Sequence, residues 1–134
     1  RLPSQLGQTS VGRSDEHDGR APVMVHPADA AARGISEGQT VRLFNDRGAC
    51  LAAARLSDAA RPGVAILSTG AWYDPDDPAA EFPLDRHGNP NVLVPDVAAS
   101  SLSQGTNGSS CLVEIVPEAN PPQPEWDRPP LFVE

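Results

Sequence analysis

The chain has 134 residues, ten of them basic and eighteen acidic, for a formal net charge of −8, and 39% of its residues are hydrophobic. That length buries roughly two-thirds of the surface of the extended chain, enough for one core without disulfide or metal staples. The acidic balance and scattered arginines argue against a nucleic-acid footprint, glycine and proline at 11 and 15 positions argue against a long-helix protein, and no apolar run approaches the ~20 residues of a membrane span.

Residues 1–21 are polar and follow neither a two-residue nor a 3.6-residue period, which predicts an opening strand followed by a mobile loop. The first five residues also lack the apolar core of a secretory signal. Val23-Met24-Val25 predicts a short strand. The stretch from Pro27 to Gly34 predicts one or two helical turns, with Pro27 in the first turn, three alanines, and Gly34 at the left-handed cap position. Val41–Phe44 and Ala49–Leu56 predict two strands joined by a tight turn at Asn45-Asp46-Arg47-Gly48. Val64–Leu67 then adds a buried strand, making the centre a β-meander. From Thr69 to Pro95 the pattern breaks down over more than twenty residues, a length that marks a functional loop. Val97–Leu102 predicts a weak helical turn and Cys111–Val116 a last strand. Residues 117–134 hold six of the fifteen prolines and predict an extended, partly disordered tail, with Trp126 and Leu131-Phe132-Val133 as candidate docking groups. The pattern is that of a small, mainly β barrel with short helices.

No nucleophile elbow is present, and His17, His26 and His87 lack partners at zinc-ligand spacing. His26, before Pro27, reads as a partly exposed residue bonded to backbone. Asp74, Asp76, Asp77, Glu81 and Asp85 read as a solvated acidic loop, because the ligand order of a calcium loop is absent. Cys50 and Cys111 are expected to be free thiols. Trp72 and Tyr73 either belong to the core or line a cavity for a planar ligand. In His87-Gly88-Asn89-Pro90-Asn91 a rigid proline separates two amides, each a donor and an acceptor. The stretch reads either as a turn or as an edge matching a purine or pterin, alongside Ser4, Gln5, Gln104, Thr106 and Asn107.

Taken in order, several segments resemble the C-terminal domain of the dimethyl sulfoxide reductase family of molybdenum enzymes, in its biotin sulfoxide, trimethylamine oxide and dimethyl sulfoxide reductase branch. They are Arg1-Leu2-Pro3-Ser4-Gln5-Leu6 (with Pro3 where the family usually carries histidine), Pro27–Ile35, Glu37–Gly48, Gly70-Ala71-Trp72-Tyr73-Asp74-Pro75 and His87-Gly88-Asn89-Pro90-Asn91-Val92-Leu93. The resemblance covers residues 1–116 and implies a double-psi β-barrel of the aspartate decarboxylase-like kind. It further implies that the barrel covers a bis(molybdopterin guanine dinucleotide) molybdenum cofactor. Ser4 and Gln5 would meet the cofactor near its phosphates or pterin, Asn91 and Asn89 the pterin edge, and Gln104 with Thr106 a further contact; Trp72 would approach the substrate funnel. The molybdenum ligand would come from an earlier domain, so the chain would hold no catalytic or metal-binding residue of its own. Its partners would be the remaining domains of one longer enzyme, and in isolation its open barrel edge would invite dimerisation. On this reading residues 1–116 are the cofactor-binding domain and 117–134 its tail.

Three other readings compete with reduction of S- or N-oxides: a dehydrogenase of the same family, a free-standing decarboxylase-like barrel cleaving at Gly108-Ser109, and a protein-binding adaptor using the tail.

Overall fold

The structure, a computed structural model, describes residues 9–102, 105 and 110–125. Its secondary structure is mainly β: strands β1 (Pro22–Val25), β2 (Thr40–Phe44), β3 (Ala49–Leu56), β4 (Ala65–Leu67), β5 (Leu84–Asp85) and β6 (Glu114–Pro117). Two short helices, α1 (Ser10–Arg13) and α2 (Pro27–Ala32), and a 3₁₀ turn at Pro90–Val92 accompany them. None of these helices is long and apolar enough to cross a membrane.

The strands form one curled sheet in the order β4-β1-β3-β2-β6. Strand β3 is its axis. Cys50 to Ala54 are all buried, which suits small side chains that pack on both faces. One edge of β3 pairs antiparallel with β2 over Ala49–Ala53. The other edge carries two parallel partners, β5 along Ala49–Cys50 and β1 along Ala53–Leu56. A core of Val23, Val25, Ala30, Ile35, Val41, Leu43, Cys50 and Ile115, with Leu93 from the long loop, packs around this sheet.

The β2–β3 hairpin and α2 follow the sequence. His26 caps α2 by accepting from the Ala28 N–H at 3.1 Å, with Pro27 in the first turn. At the other end Ile35 N donates to Ala30 O and Gly34 N to Ala31 O, the paired bonds that a left-handed Gly34 permits. The meander does not form. Strand β4 pairs with β1 rather than β3, because β1 already fills that edge of β3 in parallel. Strand β4 therefore lies at the sheet margin and is not buried: Ile66 is 45% exposed.

Three further segments differ from expectation. Residues 9–21 are no loose loop. Thr9 caps α1, and Asp18 and Gly19, both at positive φ, close a two-residue turn across which His17 and Arg20 exchange backbone hydrogen bonds. Val97–Leu102 is not helical; its apolar residues are exposed, so no packed face repays the cost of a helical nucleus. The last strand begins at Glu114 rather than Cys111, since the Asn45 side-chain amide takes the Leu112 carbonyl at 3.1 Å in place of a sheet partner.

Residues 118–125 are held along the sheet. Glu118 N donates to Thr40 O, Arg42 pairs with Glu118 at 2.8 Å, and the Arg20 guanidinium donates to Pro122 O. The opening residues 1–8, Gly108-Ser109 and the stretch 126–134 with Trp126 and Leu131–Val133 lie outside the described residues.

Candidate functional site

The long loop between β4 and β6 is organised by buried charge. Asp85 is fully buried and accepts three backbone N–H groups: Asp74 at 2.8 Å on one oxygen, Gly88 and Asn89 at 2.7 Å on the other. Burial pushes its carboxyl above the ordinary value, opposed by those three donors and by neighbouring His87. One side chain thus joins the Trp72–Asp74 arm of the loop to the His87–Asn91 arm.

A second buried pair locks the same arms. Arg86 donates to Asp74 Oδ1 at 2.8 Å and to Pro75 O at 3.1 Å. It also faces Glu125 at 3.4 Å, while Glu125 N donates to Asp74 Oδ2 at 2.8 Å. The acidic loop is therefore not uniformly solvated. Asp74 and Asp85 are interior hydrogen-bond acceptors that hold backbone, and Asp76 accepts from Asp77 N and Leu84 N nearer the surface.

The third element is His87, whose ring is fully buried. Its Nδ1 lies 3.1 Å from the Trp72 carbonyl and its Nε2 lies 3.1 Å from Glu16 Oε1. Trp72 and Tyr73 themselves stand exposed, at 59% and 50%. The Trp72 carbonyl is held by the buried His87 ring, but both aromatic residues are exposed, so they are not core.

Beyond this cluster the 3₁₀ turn carries the two asparagines in different roles. Asn89 Oδ1 accepts from Asn91 N at 3.0 Å and so caps the turn. Asn91 is exposed, and its side chain makes no hydrogen bond among the described residues. It stands on the wall of a groove of about 700 Å³ between α2, β4, the 3₁₀ turn and residues 110–115. Asp29, Arg33 and Thr69 supply polar groups there, and Val25, Leu43 and Ile115 an apolar floor. A concave, largely apolar cleft with a few directed polar groups is the form of small-molecule and cofactor sites.

The hairpin tip fixes this groove's outer wall. Asn45 Nδ2 donates to Leu93 O at 2.8 Å and Arg47 Nε to Val94 O at 3.0 Å, fastening the segment that follows the 3₁₀ turn. Gly48 lies under the turn so closely that a Cβ there would sit 2.6 Å from Val92 O.

Of the residues singled out in the sequence, Asn89 and Asn91 fall on one turn, with only Asn91 lining the groove. Trp72 is joined to that turn through His87, and Ser4, Gln5, Gln104 and Thr106 lie outside the described residues. Sequence reasoning missed Glu16, Arg20, Asp74, Asp85, Arg86 and His87 as buried organisers. Asp18-Gly19 was a usable hairpin signal for the Glu16–Arg20 segment, but no local pattern pairs Glu16 with His87 across 71 positions. Cys50 is buried and Cys111 exposed, both as free thiols. Burial raises the Cys50 thiol well above its ordinary range. Among the described residues no group of three or more histidine, cysteine or acidic side chains is placed to hold a metal ion.

Residues 1–112 match a family described as "Molydopterin dinucleotide binding domain". The chain is 50% identical to a biotin sulfoxide reductase of Cereibacter sphaeroides over 115 residues, 86% of this chain and 15% of that protein. It is 46% identical to a dimethyl sulfoxide/trimethylamine N-oxide reductase of the same organism over 122 residues, 91% of this chain and 15% of that protein. Against trimethylamine-N-oxide reductase 1 of Escherichia coli K12 it is 47% identical over 116 residues, 86% of this chain and 14% of that protein. The chain thus spans about one-seventh of the length of these relatives.

Proposed function

Because the chain belongs to the molydopterin dinucleotide binding domain family, we propose that it covers a bis(molybdopterin guanine dinucleotide) cofactor within a longer oxidoreductase that reduces S- or N-oxides. The observation that carries this reading is Asn91, whose amide, uncommitted among the described residues, projects from a turn braced by Asn89, Asn45 and Arg47 beside a groove of about 700 Å³. A primary amide offers a donor and an acceptor side by side, as a pterin edge requires. Arg33 at the same groove supplies a cation suited to a phosphate. Ser4, Gln5, Asn89, Gln104 and Thr106 are the further cofactor contacts, assigned by family resemblance, and Trp72 faces the substrate funnel. Bound molybdenum supplies the oxygen-atom transfer; this chain binds, orients and shields.

The parallel pairing of both β1 and β5 along one edge of β3 supports a double-psi β-barrel. The names of the relatives favour oxide reduction over dehydrogenation. The test is an assay of the longer protein, loaded with molybdenum, for oxidation of a reduced viologen dye by trimethylamine N-oxide, dimethyl sulfoxide and biotin sulfoxide. Turnover with at least one is expected; no turnover with any of the three would contradict the oxide-reductase assignment.

A further inference from the structure

The ring of His87 is fully buried between two groups that carry no proton of their own in their ordinary states, a backbone carbonyl and a carboxylate. The Trp72 carbonyl can only accept, so Nδ1 must donate to it at 3.1 Å. That leaves Nε2 against Glu16 Oε1 at 3.1 Å, a contact that is favourable only with one further proton held between ring and carboxylate. Glu16 is itself buried, with a side chain 5% exposed, and its second oxygen lies 3.6 Å from Arg13 Nε. The His87 backbone is fixed independently, since its carbonyl accepts from Ala21 N at 2.9 Å.

We propose that His87 and Glu16 are positioning residues: the pair shares one proton and, through the Trp72 carbonyl, sets the place of the exposed Trp72-Tyr73 pair. The mechanical logic follows from what the loop otherwise has. Asp74, the next residue, is held by Asp85 and Arg86, but Trp72 and Tyr73 project 59% and 50% exposed. Among the described residues the imidazole is the side chain that grips the Trp72 backbone. It reaches back to the Arg13–Glu16 segment, so the aromatic pair is tied to the N-terminal part of the chain as well as to the His87–Asn91 arm. As a specificity device for substrate approach this rests on the proposed function, in which Trp72 faces the substrate funnel; the positioning itself does not.

The experiment is backbone ¹⁵N relaxation on the 134-residue chain, comparing the parent with Glu16→Gln, Glu16→Ala and His87→Phe. In Glu16→Gln the new amide N–H donates to Nε2 while Nδ1–H stays on the Trp72 carbonyl, so the link survives without a shared proton. Order parameters of the Trp72 and Tyr73 amides near ~0.85 are expected in the parent and in Glu16→Gln, falling below ~0.6 in Glu16→Ala and His87→Phe. The Asp74 amide, held by Asp85, should stay rigid throughout. Parent-like values for Trp72 and Tyr73 in a folded His87→Phe would overturn the proposal. If that variant does not fold, parent-like values in Glu16→Ala would overturn it, and so would a Glu16→Gln that loosens as much as Glu16→Ala. Measuring KM and kcat for the oxide in the longer enzyme carrying Trp72→Ala separates the two readings. An unchanged KM there would refute the substrate-funnel role and leave the relaxation result to decide the positioning.

Discussion

Asp85 shows how a single residue decides the shape of the candidate site. A carboxylate presents two oxygens as acceptors, and here three N–H groups from both arms of the loop use them. Asp85→Asn keeps the size but turns one acceptor into a donor facing an N–H, so about 1–3 kcal/mol of stability should be lost, read as a lower urea midpoint at unchanged slope. The same residue gives a pH signature. Burial sets its folded-state value above the ordinary carboxylate value, so the folded chain binds the proton more tightly than the unfolded one. The stability this contributes is present below the ordinary value of 3.8 and is lost as pH rises from there through the raised value. In Asp85→Asn that component of the pH dependence should disappear, which urea titrations across the acid range would show.

At the scale of elements, the 3₁₀ turn stands where it does because Gly48 has no side chain. Adding a methyl there, Gly48→Ala, places Cβ 2.6 Å from the Val92 carbonyl, so backbone must move. A cost of about 1–3 kcal/mol is expected. Chemical-shift changes should concentrate at Asn89–Leu93 and spare β1 and β4, a pattern that an amide correlation spectrum resolves. Local elements of this kind were legible in the sequence where the chemistry is local: Pro27 with Gly34 for α2, and Asn45–Gly48 for the β2–β3 hairpin. The pairing of β4 was not legible. Whether β4 pairs with β3 or β1 depends on which edge β1 has already occupied, a long-range matter that alternation of apolar residues does not encode. The buried charges escaped for the same reason. Asp74 and Asp85 look like the solvated acids around them until the fold brings Arg86 and three backbone donors to their side.

For the whole molecule, the family was legible because its motifs are short, ordered and rich in unusual residues, as in His87-Gly88-Asn89-Pro90-Asn91. The division of labour between the two asparagines is set by the fold, since only geometry separates an amide that caps a turn from one that faces a groove. The proposed function requires that this groove face hold a molybdopterin dinucleotide. The most direct measurement is the molybdenum and pterin content of the longer protein purified with Asn91→Ala, beside the parent and an Asp77→Asn control on the exposed part of the loop. Loss of a buried donor–acceptor pair of about 1–3 kcal/mol predicts roughly 5- to 150-fold weaker retention, seen as depleted metal and pterin after dialysis while the control keeps both. Molybdenum and pterin equal to the parent in a folded Asn91→Ala protein would contradict cofactor binding at this groove.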